Sequence, residues 1–141
     1  MPVPQEGTGM YPTKYKYSQE HEWVSLEGQT ATIGITDYAQ NSLGDVVFVE
    51  LPKVGAKFSA GQTIGTVESV KAVSEIYTPV SIEIAEVNGA LANAPEQINK
   101  DPHGAAWLVK GKAPNPAELS KLMDAAAYEA FIAAKEKEAG H

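Results

Sequence analysis

Residues 65–73 read Gly-Thr-Val-Glu-Ser-Val-Lys-Ala-Val, and this stretch decides the fold that we expect for the chain. It joins two runs, residues 58–70 and 73–87, in which β-branched side chains are frequent. Such side chains favour extended strands over helices. We therefore predict a two-stranded hairpin with a tight turn at about Val70 and Lys71.

Further elements are predicted on both sides of this hairpin from apolar periodicity and from turn and cap residues. The predicted elements are strands at residues 21–25, 30–35 and 46–51, a helix at residues 37–43 between Thr36 as N-cap and Gly44 as C-terminal stop, a helical turn at residues 95–99 and a last strand at residues 107–109. Gly61 and Gly65 are interpreted as turn or bulge positions. Val67, Val70 and Val73 are interpreted as residues that pack the hairpin.

The C-terminal residues change to a helical period. Asn115, Pro116 and Glu118 stand in the order of an N-cap, a first helical residue and a third helical residue. A second helix is predicted from Asp124, its N-cap, through residue 137. The apolar face of this helix is predicted to consist of Ala127, Phe131 and Ala134.

The length of 141 residues fits a single domain. We divide the chain into a flexible leader at residues 1–13, which are rich in proline and glycine, a β domain at residues 14–112, and a helical segment at residues 113–141 that packs on the same domain. The predicted fold class is mainly β, with short flanking helices and a helical C-terminus.

Composition excludes several classes of function. The 18 acidic residues outnumber the 11 basic residues, all of which are lysines, and the net charge is −7. Nucleic-acid binding needs a clustered basic surface and is not expected. The chain has no cysteine, so any redox chemistry would need a bound cofactor. No apolar run approaches the roughly 20 residues that span a bilayer, so no membrane partner is expected.

The N-terminal sequence has neither the apolar core of a secretion signal nor the arginines of a mitochondrial transit peptide. We therefore expect a cytoplasmic protein, or the processed matrix form of an organellar one. The three histidines are scattered, and none stands at metal-ligand spacing from another. We expect neither catalysis nor metal binding at His21 or His103.

Lys71 is the candidate functional residue of the predicted hairpin. At a hairpin tip, its amine is solvated and within reach of a modifying enzyme, while the tight turn fixes the backbone that carries it. A mobile group on a rigid anchor suits a swinging arm. A turn lysine by itself is usually only solvated surface, so its neighbours must decide between the two interpretations.

Those neighbours resemble the lipoylation site of glycine cleavage H proteins. The match consists of Glu-Ser-Val-Lys-Ala at residues 68–72 between valines, with Gly61 and Gly65 before it and Pro79 after it. Further blocks of the family's pattern follow in the family's order over roughly residues 15–112. They include His-Glu-Trp-Val at residues 21–24, Gly-Ile-Thr-Asp at 34–37, Leu-Gly-Asp-Val-Val-Phe-Val-Glu-Leu-Pro at 43–52 and Asp-Pro at 101–102.

The resemblance implies a barrel-sandwich hybrid, in which two antiparallel sheets present the modified lysine on an exposed hairpin. It implies that lipoic acid is joined to Lys71 by an amide bond, with Val70 and Ala72 as the immediate context of the attachment site. It also implies that Glu68 guides the lipoate-attaching enzyme or another partner. The alternative for Glu68 is an ordinary surface charge.

The same resemblance implies a carrier that catalyses no reaction itself. Its partners would be glycine decarboxylase, which loads an aminomethyl group, an aminomethyltransferase that uses tetrahydrofolate, and dihydrolipoamide dehydrogenase, which accepts electrons. Glu20, Glu22 and Glu75 are the implied contacts of the protonated amine on the loaded arm. The alternative for each of them is a solvated carboxylate on a strand.

Two residues depart from the family's pattern. Ile82 stands where a glycine usually follows a serine, and isoleucine would be strained there if the backbone needed a positive φ angle. Tyr38 stands where many members have histidine, so no role of that histidine carries over to this chain.

Three other functions remain as alternatives. Lipoyl domains of 2-oxo acid dehydrogenases usually have Asp-Lys-Ala and biotin carriers have Met-Lys-Met, whereas this chain has Val70-Lys71-Ala72. An unmodified binding protein, or a relay that donates lipoate to other proteins, stays open because a relay would use the same lysine. A hydrolase or transferase is disfavoured, because the sequence shows no nucleophile with a recognisable base and no phosphate-binding glycine loop.

Overall fold

The computed structural model describes residues 11–139, with side chains described through Lys135. Its elements, in chain order, are β1 (Lys16–Tyr17), β2 (Glu22–Glu27), β3 (Thr30–Ile35), α1 (Asp37–Leu43), β4 (Val46–Glu50), β5 (Lys57–Phe58), β6 (Thr63–Ser69), β7 (Val73–Tyr77), β8 (Ile82–Val87), α2 (Ala90–Asn93), α3 (Gln97–Lys100), β9 (Val109–Lys112), a 3₁₀ helix (Pro116–Lys121) and α4 (Ala125–Ala139).

The strands form two antiparallel sheets. The large sheet has six strands in the order β1-β2-β3-β9-β8-β5, and the small sheet has three in the order β4-β6-β7. The main hydrophobic core takes side chains from both sheets, including Ile33 and Ile84 from the large one and Val49 and Val67 from the small one. The predicted mainly β fold with two antiparallel sheets and flanking helices is confirmed.

Local sequence signals set the bounds of helix α1. The Thr36 hydroxyl accepts a hydrogen bond from the Ala39 N–H at 3.2 Å, so Thr36 is the N-cap. Gly44 ends the helix at a φ of 82°, a region that glycine adopts without steric strain. Its N–H donates to the Gln40 carbonyl at 3.0 Å. The predicted helix, cap and stop are therefore confirmed.

A second group of buried side chains, which we call the aromatic cluster, lies apart from the main core. It consists of Tyr11, Tyr17, Trp23, Ala125, Tyr128 and Ile132. The rings of Tyr17 and Tyr128 stack with centroids 4.8 Å apart, and this contact joins α4 to β1. Tyr11 is buried here, although the predicted leader includes it. Residues 1–10 of that leader lie outside the described residues, so its boundary stays a prediction.

Two predictions for residues after 106 were wrong. The last strand is Val109–Lys112 and not residues 107–109, because its pairing with both β3 and β8 begins at Val109. The helix predicted to begin at Pro116 is present as a 3₁₀ helix, but the predicted cap is wrong, because the Asn115 side chain makes no cap hydrogen bond. Glu118 does not complete a capping box, because its carboxylate accepts hydrogen bonds from the N–H and hydroxyl of Ser81.

The predicted apolar face of α4 was also wrong. Ala127 and Ala134 are exposed, and Phe131 is only half-buried. The buried face consists of Ala125, Tyr128 and Ile132. Asp124 caps the helix as predicted, since its carboxylate accepts the Ala127 N–H at 2.8 Å. The apolar pattern missed the correct face because its central residue is a tyrosine with a polar hydroxyl.

Ile82 fits its position without backbone strain. It is buried in β8, and the only non-glycine residue with a positive φ in the described part of the chain is His21. A Cβ added to Gly111 on the neighbouring strand β9 would lie 2.9 Å from Ile82 Cγ1. The isoleucine side chain therefore packs over a glycine, which leaves room for it.

Gly65 should not tolerate a side chain, because an added Cβ would overlap the Glu50 carbonyl oxygen on β4. We predict that Gly65→Ala lowers the free energy of unfolding by about 2 kcal/mol or more, since β4 must move away from β6. Gly89→Ala is the matched control: Gly89 has a φ of −64° and nothing within 4 Å of an added Cβ. Urea denaturation measures both, and equal stability of the two variants would contradict the prediction.

Candidate functional site

The β6–β7 hairpin ends in a turn that is fixed by Ser69. The Ser69 N–H donates to the Ala72 carbonyl at 2.8 Å, which closes the turn. The Ser69 hydroxyl donates to the same carbonyl at 3.2 Å and accepts the N–H groups of Lys71 and Ala72 at 3.3 and 3.1 Å. A buried serine thus determines the position of the Lys71 backbone, while the Lys71 side chain is exposed.

The turn is also attached to the segment before β4. The Val70 N–H donates to the Asp45 carbonyl at 3.0 Å. A Cβ added to Gly44 would lie 3.5 Å from Lys71 Cε, so the lysine stem passes close to this glycine. The predicted tight turn at Val70 and Lys71 is confirmed, and it is held from two directions.

The residues predicted as the attachment site lie together at the hairpin tip. These exposed residues are Glu68, Val70, Lys71 and Ala72. Val67 is buried, as predicted for a packing residue, but Val70 and Val73 are 70% and 64% exposed. The packing prediction was wrong for these two valines, because Val70 lies in the turn and Val73 pairs with the outward-facing Glu68.

A cleft of about 340 Å³ lies between the start of β2, helix α1 and the hairpin strands. All three carboxylates predicted from the resemblance line it: Glu20, Glu22 and Glu75. Val67 of β6 and Ser74 of β7 form part of its wall. The hairpin that carries Lys71 in its turn therefore also forms one wall of the cleft.

Glu22 is the buried carboxylate of the cleft, with 2% of its surface exposed. Burial raises the pKa of Glu22 to about 7, although hydrogen bonds from Ser18 and Tyr77 oppose the shift and the negative charge of Glu20 adds to it. The Ser18 hydroxyl donates to Oε1 at 2.6 Å, and the Tyr77 N–H donates to Oε2 at 3.0 Å. Glu22 therefore changes its charge near neutral pH.

Glu20 and Glu75 are exposed at the edge of the cleft. The Glu75 carboxylate accepts a hydrogen bond from the Thr63 hydroxyl at 2.9 Å. None of the described residues that line the cleft is a lysine. A cleft with three carboxylates and no opposing ammonium group is suited to bind a cation.

His21 forms part of the cleft wall, a role that the sequence did not predict. Its φ is 72°, and its Nδ1 lies 2.8 Å from the hydroxyl of Tyr128. That hydroxyl also lies 2.7 Å from Thr36 Oγ1. Burial lowers the pKa of His21, and the charge of Glu20 opposes this shift. No sequence signal could reveal the contact, because Tyr128 is 107 residues away along the chain.

Tyr38, the departure from the family's pattern, also lines the cleft. Its ring centroid lies 4.6 Å from that of His21. The two rings form an aromatic wall beside the carboxylates. Tyr38 therefore has a structural role in lining the cleft.

Comparison with known proteins adds the family of the chain. The sequence model of the glycine cleavage H-protein family matches residues 15–135. The chain belongs to this family. It is 56% identical to the glycine cleavage system H protein of Acidobacterium capsulatum over 131 residues, which are 93% of this chain and 98% of that protein. It is 53% identical to that of Symbiobacterium thermophilum over 120 residues, 85% of this chain and 94% of the relative.

A solved structure agrees with this assignment. The crystal structure of a glycine cleavage system H protein from Mycobacterium marinum matches with a TM-score of 0.80 and 38% identity, over 86% of this chain and 98% of that one. As a member of the family, the chain is a carrier component of the glycine cleavage system. Within residues 11–139, no helix has the length and apolar composition needed to cross a membrane.

We predict that the buried carboxyl group of Glu22 makes the stability of the folded chain depend on pH. Because the pKa of Glu22 is about 7 in the folded chain and 4.5 ordinarily, its contribution to stability is fully present below pH 4.5 and is lost as the pH rises to about 7. The loss is at most about 3 kcal/mol. Glu22→Gln keeps the shape without the charge, so we expect a flatter stability profile between pH 5 and 8.

Urea denaturation at a series of pH values measures this difference. Glu27→Gln is the matched control, because Glu27 is exposed on the same strand. The control should follow the unmodified chain. Parallel profiles for Glu22→Gln and the unmodified chain would contradict the prediction.

Proposed function

We propose that Lys71 carries lipoate through an amide bond to its Nζ, and that the chain acts as the swinging-arm carrier of the glycine cleavage system. The observation that supports this most is an exposed lysine on a turn whose backbone is held by Ser69 and Asp45. The anchor is rigid, while the long side chain is free to sweep the solvent around the tip. When bound, lipoate supplies a dithiolane that takes up an aminomethyl group and electrons.

The proposal requires several protein partners. Glycine decarboxylase would load the aminomethyl group, an aminomethyltransferase would remove it, and dihydrolipoamide dehydrogenase would accept the electrons. The chain itself catalyses no step, but it raises the effective concentration of the carried group at each active site. The relatives named above are bacterial proteins, which supports a cytoplasmic location.

The cleft would hold the protonated amine of the loaded arm. Glu20, Glu22 and Glu75 line this cleft and would offer carboxylate oxygens for charge-assisted hydrogen bonds. A cation beside Glu22 would favour its ionised form and bring its pKa down from about 7. The buried carboxyl group would therefore gain its full charge when the cationic group enters.

Incubation with lipoate, ATP and a lipoate ligase is expected to add the mass of one lipoyl group to the intact chain. Lys71→Arg keeps the positive charge but offers no acylatable amine, so this variant should show no gain. Lys57→Arg, at an exposed lysine on β5, is the matched control and should gain the group normally. A gain that survives Lys71→Arg would place the attachment site elsewhere.

We predict that the carboxylates of the cleft prolong the lifetime of the loaded arm. Glu22→Gln and Glu75→Gln are each expected to shorten it by about tenfold, since each removes one charged partner of the ammonium group. Intact mass, followed over time after loading by glycine decarboxylase, measures the decay. Glu83→Gln, at an exposed position on β8 of the large sheet, should leave the lifetime unchanged. Equal lifetimes in all variants would contradict the claim that the cleft holds the protonated amine.

A further inference from the structure

The hydroxyl of Tyr128 joins two walls of the cleft without lining the cleft itself. It lies 2.8 Å from His21 Nδ1 and 2.7 Å from Thr36 Oγ1. His21 stands just before β2 and lines the cleft. Thr36 is the N-cap of α1, the helix that contributes Tyr38 to the cleft wall. One side-chain oxygen on α4 therefore connects the start of β2 to the start of α1.

The direction of these two hydrogen bonds follows from the hydroxyl of Thr36. Thr36 is fully buried, so its O–H needs an acceptor. The Thr36 oxygen also accepts the Ala39 N–H, which is a donor and cannot take the hydroxyl proton. Among residues 11–139, the acceptor left for that proton is the Tyr128 oxygen. Thr36 therefore donates to Tyr128, and Tyr128 uses its one proton to donate to His21 Nδ1.

A hydrogen bond received at Nδ1 determines the protonation state of His21. Nδ1 accepts only when it carries no proton of its own, so the imidazole is neutral and its proton lies on Nε2. The surroundings favour the same state. Burial lowers the pKa of His21, the charge of Glu20 opposes this shift, and the charge of Lys135 adds to it.

The backbone of His21 is held separately from its ring. Its φ of 72° lies in the left-handed region, which a residue with a side chain adopts only when the surroundings require it. The His21 N–H donates to the Ser18 carbonyl at 3.1 Å, and the His21 carbonyl accepts the Thr36 N–H at 3.0 Å. These bonds fix the main chain, while the hydrogen bond from Tyr128 fixes the tautomer of the ring.

The charge of the His21 ring matters because the ring lies among carboxylates. The titratable groups around it come from its own segment, β7, α1 and α4, and they are Glu20, Glu22, Glu75, Tyr38, Tyr128 and Lys135. An imidazolium in this position would neutralise part of the carboxylate charge and repel a second cation. A neutral ring leaves the carboxylates available to a cationic group.

We propose that Tyr128 is a positioning residue of the cleft, whose hydroxyl holds His21 as the neutral Nε2–H tautomer and so keeps the carboxylates available to the protonated amine of the loaded arm. The identity of this cation rests on the proposed function. The state of His21, in contrast, is measurable on a chain without any attached arm. Because the donor stands on α4, the docking of the C-terminal helix and the affinity of the cleft for a cation are coupled.

Tyr128→Phe tests the proposal, since it removes the hydroxyl and keeps the ring. Tyr17→Phe is the matched control, because Tyr17 is buried in the same aromatic cluster and its ring stacks on that of Tyr128. Its hydroxyl donates to the Pro12 carbonyl at 2.6 Å, away from His21. Each variant loses one hydroxyl hydrogen bond, so circular dichroism melting should show similar losses of stability.

Nitrogen NMR of the histidine-labelled, unlipoylated chain reports the tautomer directly. A His21→Asn chain assigns the resonances, and asparagine tolerates the left-handed backbone at this position. We expect the unmodified chain to show the Nε2–H tautomer and a protonation midpoint below the ordinary 6.5. In Tyr128→Phe the midpoint should rise by about one pH unit, because the neutral form has lost its hydrogen bond. Tyr17→Phe should match the unmodified chain.

The lifetime of the loaded arm gives the second readout. After loading by glycine decarboxylase, intact mass should show a lifetime about threefold shorter in Tyr128→Phe at pH 6.5, with a smaller difference at pH 8, where His21 is neutral in both chains. The double variant Tyr128→Phe/His21→Asn has no imidazole to protonate. Its lifetime should therefore lack the extra loss at the lower pH.

Distinct results would overturn the proposal. An Nδ1–H tautomer in the unmodified chain contradicts the direction of the hydrogen bonds. A His21 midpoint that is unchanged in a folded Tyr128→Phe chain removes the role of the hydroxyl. A raised midpoint with equal lifetimes in all chains removes the link to the cleft. If the unmodified chain cannot be loaded at all, the proposed function fails, and the NMR result still decides whether Tyr128 sets the state of His21.

Discussion

Strand β6 is the constraint on which the rest of the structure depends. It lies in the middle of the small sheet, between β4 and β7. Its inward side chains Ile64 and Val67 are buried in the main core, Glu68 faces outward, and Ser69 at its end fixes the turn that carries Lys71. A slip of one residue would exchange the two faces of the strand. Core packing therefore also sets the cleft wall, the outward face of the hairpin and the lysine anchor.

The cleft meets two opposing electrostatic requirements. It has to be acidic to attract a cation, but each carboxylate taken out of water destabilises the folded chain. Glu20 and Glu75 stay exposed, and only Glu22 is buried, where hydrogen bonds from Ser18 and Tyr77 offset part of the desolvation. The residual penalty is what raises the pKa of Glu22, and a bound cation would relieve it.

The C-terminal helix supports one wall of the cleft from behind, although it follows all the strands. Tyr128 is buried in the aromatic cluster, and its hydroxyl lies within hydrogen-bond distance of His21 and Thr36. The sequence resemblance supplied the three carboxylates that the structure brings into one cleft. The resemblance did not reveal that Tyr128 supports the cleft wall, because this contact depends on how α4 packs and not on any short motif.

The sequence by itself determined the features that depend on neighbouring residues: the Thr36 cap, the Gly44 stop, the turn at Lys71 and, through its motifs, the family. Only the tertiary structure decided which side chains are buried. It exposes Val70 and Val73, shifts the register of β4 between Val46 and Phe48, and buries the face of α4 that contains Tyr128. Caps and turns are made by hydrogen bonds within a few residues, so a short stretch specifies them. Burial is the sum of contacts with residues far along the chain, so it is settled only when the sheets and helices have packed.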